Sequence, residues 1–207
     1  MSPASLIYGF NVYFNLSVFS SAIFGATTTE ANAFSFIYLF VYAVGRLVTG
    51  LVISPTFTAV NVSRLATLIQ VPIFIISGLL VLFGGNSQAV FWIWVVLQSF
   101  IGLGLAAFKI SISVNVLDRW NMFNFGFVTS LMLFALGVSG FVGSLIGWAS
   151  LAIVGDVPLG RGEVSDGVEN PWNDDVRKAG GAALNFILAF IAMVAYFLNL
   201  KMVKVVC

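Results

Sequence analysis

Long apolar runs, separated by short clusters of Gly, Asn, Ser, Thr and Asp, dominate this chain. Crossing a bilayer core as a helix takes about 20 apolar residues. Six runs meet that need: Leu6–Ala26, Ala33–Ile53, Leu65–Phe83, Ala89–Leu117, Phe125–Ile153 and Ala182–Leu200. Helices are expected because an isolated strand would leave its backbone polar groups unpaired in lipid. The breaks at Thr27–Asn32, Ser54–Ser63, Gly84–Gln88, Asp118–Asn124 and Gly155–Gly181 carry turn chemistry. The fourth and fifth runs exceed what a bilayer requires, so their ends should tilt or project. The expected fold is an all-α membrane protein: one six-span bundle over residues 1–207, with an acidic extracytoplasmic loop over 155–181.

Composition supports lipid as the solvent. Hydrophobic residues make up 60% of the 207 and charged residues 8%, against roughly 25% charged in soluble domains. A net charge of +1 gives no nucleic-acid footprint. Histidine is absent and the single cysteine, Cys207, is the last residue. No His-based catalysis, internal disulfide or Cys/His metal site can be built. The N-terminus lacks the basic region of a signal peptide, and its apolar run is long enough to span. It reads as a retained helix.

Charge also sets the expected orientation. One face would carry Arg64, Arg119, Lys201, Lys204 and, on a helix running toward it, Arg46, against Asp118 alone. The other would carry Glu30 and the acidic 155–181 loop. Basic residues favour the cytoplasmic side, so both termini are expected there. The sequons at Asn15 and Asn61 would then fall in a span and on the cytoplasmic side, out of reach of glycosylation.

Polar residues recur at helical spacing inside the runs. Tyr8, Asn11 and Asn15 share a face of the first; Tyr38, Tyr42, Gly45 and Thr49 share one in the second, with Arg46 beside them. Gln98, Gly102, Ala106, Lys109 and Ser113 align in the fourth, and Asn185, Ala189, Ala192, Tyr196 and Asn199 in the sixth. Such faces should turn into the bundle or a wet cavity, either as candidates for binding or as hydrogen bonds between helices. Gly137, Gly140, Gly143 and Gly147 in the fifth run predict close helix approach.

Two cations stand out. Arg46 lies about 5 Å, and Lys109 about 9 Å, from the middle of its run at 1.5 Å per residue. An intramembrane cation marks a functional site unless its long side chain snorkels to the interface. No intramembrane acid is evident to neutralise either, and a bound anion would supply the missing charge. Arginine suits a carboxylate because its fork donates two parallel hydrogen bonds.

The stretch Tyr42–Gly50, YAVGRLVTG, resembles the eighth transmembrane helix of major facilitator superfamily transporters. Phe123–Gly147, FNFGFVTSLMLFALGVSGFVGSLIG, is similar to their glycine-rich eleventh helix. The nearest likeness is the oxalate–formate antiporter and monocarboxylate-transporter branch. The resemblance covers essentially the whole chain as helices seven to twelve. It implies half of a major facilitator fold, built of inverted three-helix repeats and working by alternating access. It also implies that Arg46 occupies the position whose basic residue contacts the substrate carboxylate. Tyr42 stands where monocarboxylate carriers have an aspartate, and Lys109 lies one span before the intramembrane lysine of oxalate carriers.

The function expected is therefore a half or a fragment of a secondary transporter for a small organic anion, such as a mono- or dicarboxylate. The substrate-binding candidates are Arg46, Lys109, Tyr42, Tyr38, Asn11 and Asn15. Lipid surrounds it, a second six-helix half is the expected partner, and no cofactor is required. A non-transporting scaffold, assembly subunit or degenerate paralogue is the alternative. A channel would need a pore-lining charged ring, which is not visible. An enzyme would need an acid pair or nucleophile–base set, which is also not visible.

Overall fold

The structure, a computed structural model, describes residues 19–21, 23–53, 57–84, 87–119, 122–154 and 174–204. They hold five long helices: α1 (Thr28–Val52), α2 (Ala59–Phe83), α3 (Gln88–Arg119), α4 (Met122–Val154) and α5 (Asp174–Lys204). No strand occurs among the described residues. All five helices are long and apolar enough to cross a membrane, the architecture of a multi-pass membrane protein. Of the first expected span, residues 19–21, 23 and 24 are described and helical. Most of it, including Asn11 and Asn15, lies outside the described residues, as does the acidic segment 155–173.

The helices start earlier than their apolar runs. α1 begins at Thr28 because Thr27 and Glu30 close a capping box. The Thr27 hydroxyl accepts from the Glu30 amide at 3.3 Å, and Glu30 Oε2 accepts from the Thr27 amide at 2.9 Å. Gly25, at φ 63°, makes the turn into it. At the start of α2 the Thr58 hydroxyl accepts from the Asn61 amide at 3.5 Å, a one-way cap that draws the polar Asn61–Arg64 stretch into the helix. α5 begins at Asp174, inside the expected 155–181 loop. Gly180 and Gly181 stay helical because tertiary contact overrides their weak propensity. A Cβ on Gly181 would already sit 3.0 Å from Ile23 side-chain carbons.

α3 is the central element. It packs on α1 and α2 and touches α4, while α5 packs on α2 and α4. Phe34 meets Trp94 at 5.3 Å between centroids, and Tyr38 lies over Gly102, so α1 and α3 run parallel. α2 returns antiparallel through the short connection before Gln88. The core gathers Phe34, Tyr38, Phe74, Trp94, Val95, Ile101, Leu184 and Leu188, with Phe19 and Ile23 from the end of the first run. Pro72 interrupts the hydrogen-bond ladder within α2 on its exposed side. The glycine stripe of α4 divides: Gly140 and Gly143 are buried, whereas a Cβ on Gly137 would meet nothing within 4 Å. Phe127, Phe134 and Phe141, seven residues apart, form an exposed ridge on α4, as suits a lipid-facing surface.

Candidate functional site

α1 buries one stripe, Ala31, Phe34, Tyr38, Gly45 and Thr49, against α3. The approach is closest at Gly45, where an added Cβ would lie 3.1 Å from Leu103 Cα and 3.1 Å from Ala106 Cβ. Small residues on both helices therefore set the contact. The Thr49 hydroxyl donates to the Gly45 carbonyl at 2.7 Å and satisfies itself within the turn. The opposite face, Phe36, Phe40, Leu47 and Leu51, is exposed and apolar.

Arg46 lies between these two faces. It is exposed, and Gly45 rather than Arg46 meets α3. Tyr42, one turn earlier, is half-buried. The ammonium of Lys109 reaches across from α3 and sits 5.4 Å from the centroid of the Tyr42 ring. This is within cation–π range. The two helices thus bring Tyr42 and Lys109 together, with Arg46 one turn along the same flank. Tyr38 faces elsewhere: it is fully buried, its ring against Gly102. In this arrangement its side chain is enclosed between α1 and α3.

The electrostatics of the flank are one-sided. Between Glu30 and Asp118 the chain has no acidic residue, while Arg46, Arg64 and Lys109 all fall in that interval. Glu30 is sixteen residues before Arg46 on the same helix, about 24 Å away at the helical rise. Its carboxylate is engaged at the far end by Thr27 and, at 3.4 Å, by Gln88 Nε2. A cleft of about 200 Å³ opens there, lined by Phe24, Gly25, Glu30, Gln88 and Phe91 among others.

Elsewhere the polar stripes join helices. Gln98 Nε2 donates to Asn185 Oδ1 at 3.0 Å, and Asn185 Nδ2 donates to the Gly181 carbonyl at 2.8 Å, all buried. One residue from each stripe, Gln98 on α3 and Asn185 on α5, joins the two helices, while Gly102, Ala106 and Lys109 of the α3 stripe turn toward α1. A second buried polar line, Ser63, Thr67, Gln70 and Ser77 on α2, was not among the residues the apolar runs singled out. Its signal in the sequence is the seven-residue spacing Ser63–Gln70–Ser77, hidden by the apolar residues around it.

No family model, no curated protein and no solved structure matches this chain. Any functional reading rests on the chain's own chemistry.

Proposed function

We propose that the chain is one half of a secondary transporter of the major facilitator type, carrying a small organic anion. The α1–α3 flank would form one wall of the anion's path. The reading is carried by one observation: Lys109 against Tyr42, with Arg46 a turn away, on a stretch without an acid. Two cations at membrane depth are expensive unless something negative or wet meets them. An organic carboxylate offers two oxygens for the guanidinium fork and a charge for the ammonium. A second six-helix half would cover the flank, since the exposed position of Arg46 would otherwise face lipid.

The test is uptake of radiolabelled mono- and dicarboxylates into proteoliposomes, with the chain alone and with a candidate second half. Arg46→Ala and Lys109→Ala should each lower uptake at least tenfold, and Arg46→Lys should restore only part of it, because the ammonium lacks the fork. Full uptake by Arg46→Ala would remove the site assignment. An absence of flux from the wild-type chain in every combination would favour the scaffold reading instead.

A further inference from the structure

The α2–α3 interface carries a feature that the anion-binding flank does not explain. Ser63, Gln70 and Ser77 lie seven residues apart on α2 and are 2%, 1% and 0% exposed. Each holds a buried oxygen with no hydrogen-bond partner among the described residues: Ser63 Oγ, Gln70 Oε1 and Ser77 Oγ. Ser111 Oγ on α3 is in the same condition, on a residue 0% exposed.

These atoms form a line. Gln70 Nε2 donates to the Ile101 carbonyl at 3.2 Å, and its amide lies so close over Gly104 that an added Cβ would have to displace it. That contact fixes the register of two antiparallel helices. Ser63 is seven residues before Gln70, and Ser111 is seven after Gly104. Two helical turns in opposite chain directions bring both hydroxyls to one level on the facing sides. Ser77 lies two turns the other way. The levels are thus about 10 Å apart, and together they extend over about 21 Å of a hydrocarbon core of roughly 30 Å.

The rotamers add a second argument. A helical hydroxyl in an apolar setting ordinarily closes on the carbonyl four residues back. Ser35, Thr49, Thr67, Ser99, Ser113, Ser130 and Ser139 all do so here, at 2.7 to 3.3 Å. Ser63, Ser77 and Ser111 do not. Their oxygens are given up by the backbone and left to something else in the seam. Leaving a buried polar atom unpaired is costly, and the usual remedy in a protein interior is an ordered water with two to four polar neighbours.

We infer that the α2–α3 seam binds separate internal water molecules at three levels, one bridging Ser63 and Ser111, one at Gln70 Oε1 and one at Ser77. Water thereby enters the lipid-embedded core between α2 and α3, on a different side of α3 from the Tyr42–Lys109 contact. This holds whether or not the flank carries an anion.

The experiment is water-edited solid-state NMR of the full chain in lipid bilayers. Magnetisation from water should reach the Gln70 side-chain amide and the signals of Ser63, Ser77 and Ser111 at short mixing times. It should be at least severalfold weaker at Thr49, which is buried and closed on its own carbonyl. Equal transfer at Thr49 and the seam, or none at the seam, overturns the inference. Replacing both hydroxyls, Ser63→Ala with Ser111→Ala, should abolish transfer at that level and leave it at Gln70. Persistence of the signal at residue 63 in that variant would overturn the bridging site.

Discussion

Toward α2 and α5, α3 offers Gln98 and the Ile101 carbonyl to amides that are sealed within the bundle. Toward α1 it offers Gly102, Ala106 and Lys109, and the polar atoms that result are half-buried or exposed. The same helix therefore uses polar residues in two ways. In the seam the amides of Gln70, Gln98 and Asn185 find partners and hold helices together. On the flank a cation rests on an aromatic face and a second cation stands beside it. Helical spacing in a sequence treats these alike, because both stripes recur every three or four residues. The identity of the partner separates them.

The largest effect should come from the seam. Gly104→Ala puts a methyl group into the Gln70 amide, and overpacking of this kind costs about 1–3 kcal/mol. The thermal midpoint in nanodiscs should fall by several degrees. Gly104→Ala combined with Gln70→Ala should recover most of that loss by removing the obstructing group. If the pair is no better than the single variant, the seam is not packed through this contact.

Next is the amide pair. Gln98→Leu strands Asn185 Oδ1, and interhelical hydrogen bonds in membranes contribute up to about 1.7 kcal/mol. A double-mutant cycle of Gln98→Leu with Asn185→Leu should show positive coupling of about 0.5–1.5 kcal/mol. Additive losses would show that the two side chains stabilise the fold independently.

These particular residues also show how much the sequence disclosed. The five described spans follow from apolar run length alone, because lipid requires about 20 apolar residues in each. Their starts were less visible. The Thr27–Glu30 box and the Thr58 cap lie in stretches that read as loops, and Gly180–Gly181 reads as a break until Ile23 is placed against it. At the site, Tyr42, Arg46 and Lys109 were legible as polar positions at helical spacing. That Tyr38 points into the core and Tyr42 onto the flank was not, since the two differ by one turn on the same face. Gln70 escaped because it is flanked by Ile69 and Val71 in the most apolar part of α2, and its meaning depends on Gly104, 34 positions away.

On the flank the effects on stability should be smaller. Tyr42→Leu removes the ring beneath Lys109 and costs about 0.5–1 kcal/mol, the range of a partly exposed cation–π contact. Tyr42→Phe retains the ring face and should lower the thermal midpoint by less than Tyr42→Leu does. A drop for Phe equal to that for Leu would transfer the contribution from the ring to the hydroxyl.

The smallest structural effect is expected at Arg46, where a large functional effect is proposed. The side chain is exposed and the adjoining α1–α3 contact belongs to Gly45 and Ala106. Arg46→Ala should therefore leave the midpoint within about 0.5 kcal/mol of wild type, the usual range for a surface change. Gly45→Leu, one residue away, should destabilise the chain because it forces α1 off Leu103. A midpoint that fell as far for Arg46→Ala as for Gly45→Leu would show that the guanidinium braces the bundle. The distinction between a sealed seam and an open flank would then fail at the residue on which the anion-binding proposal most depends.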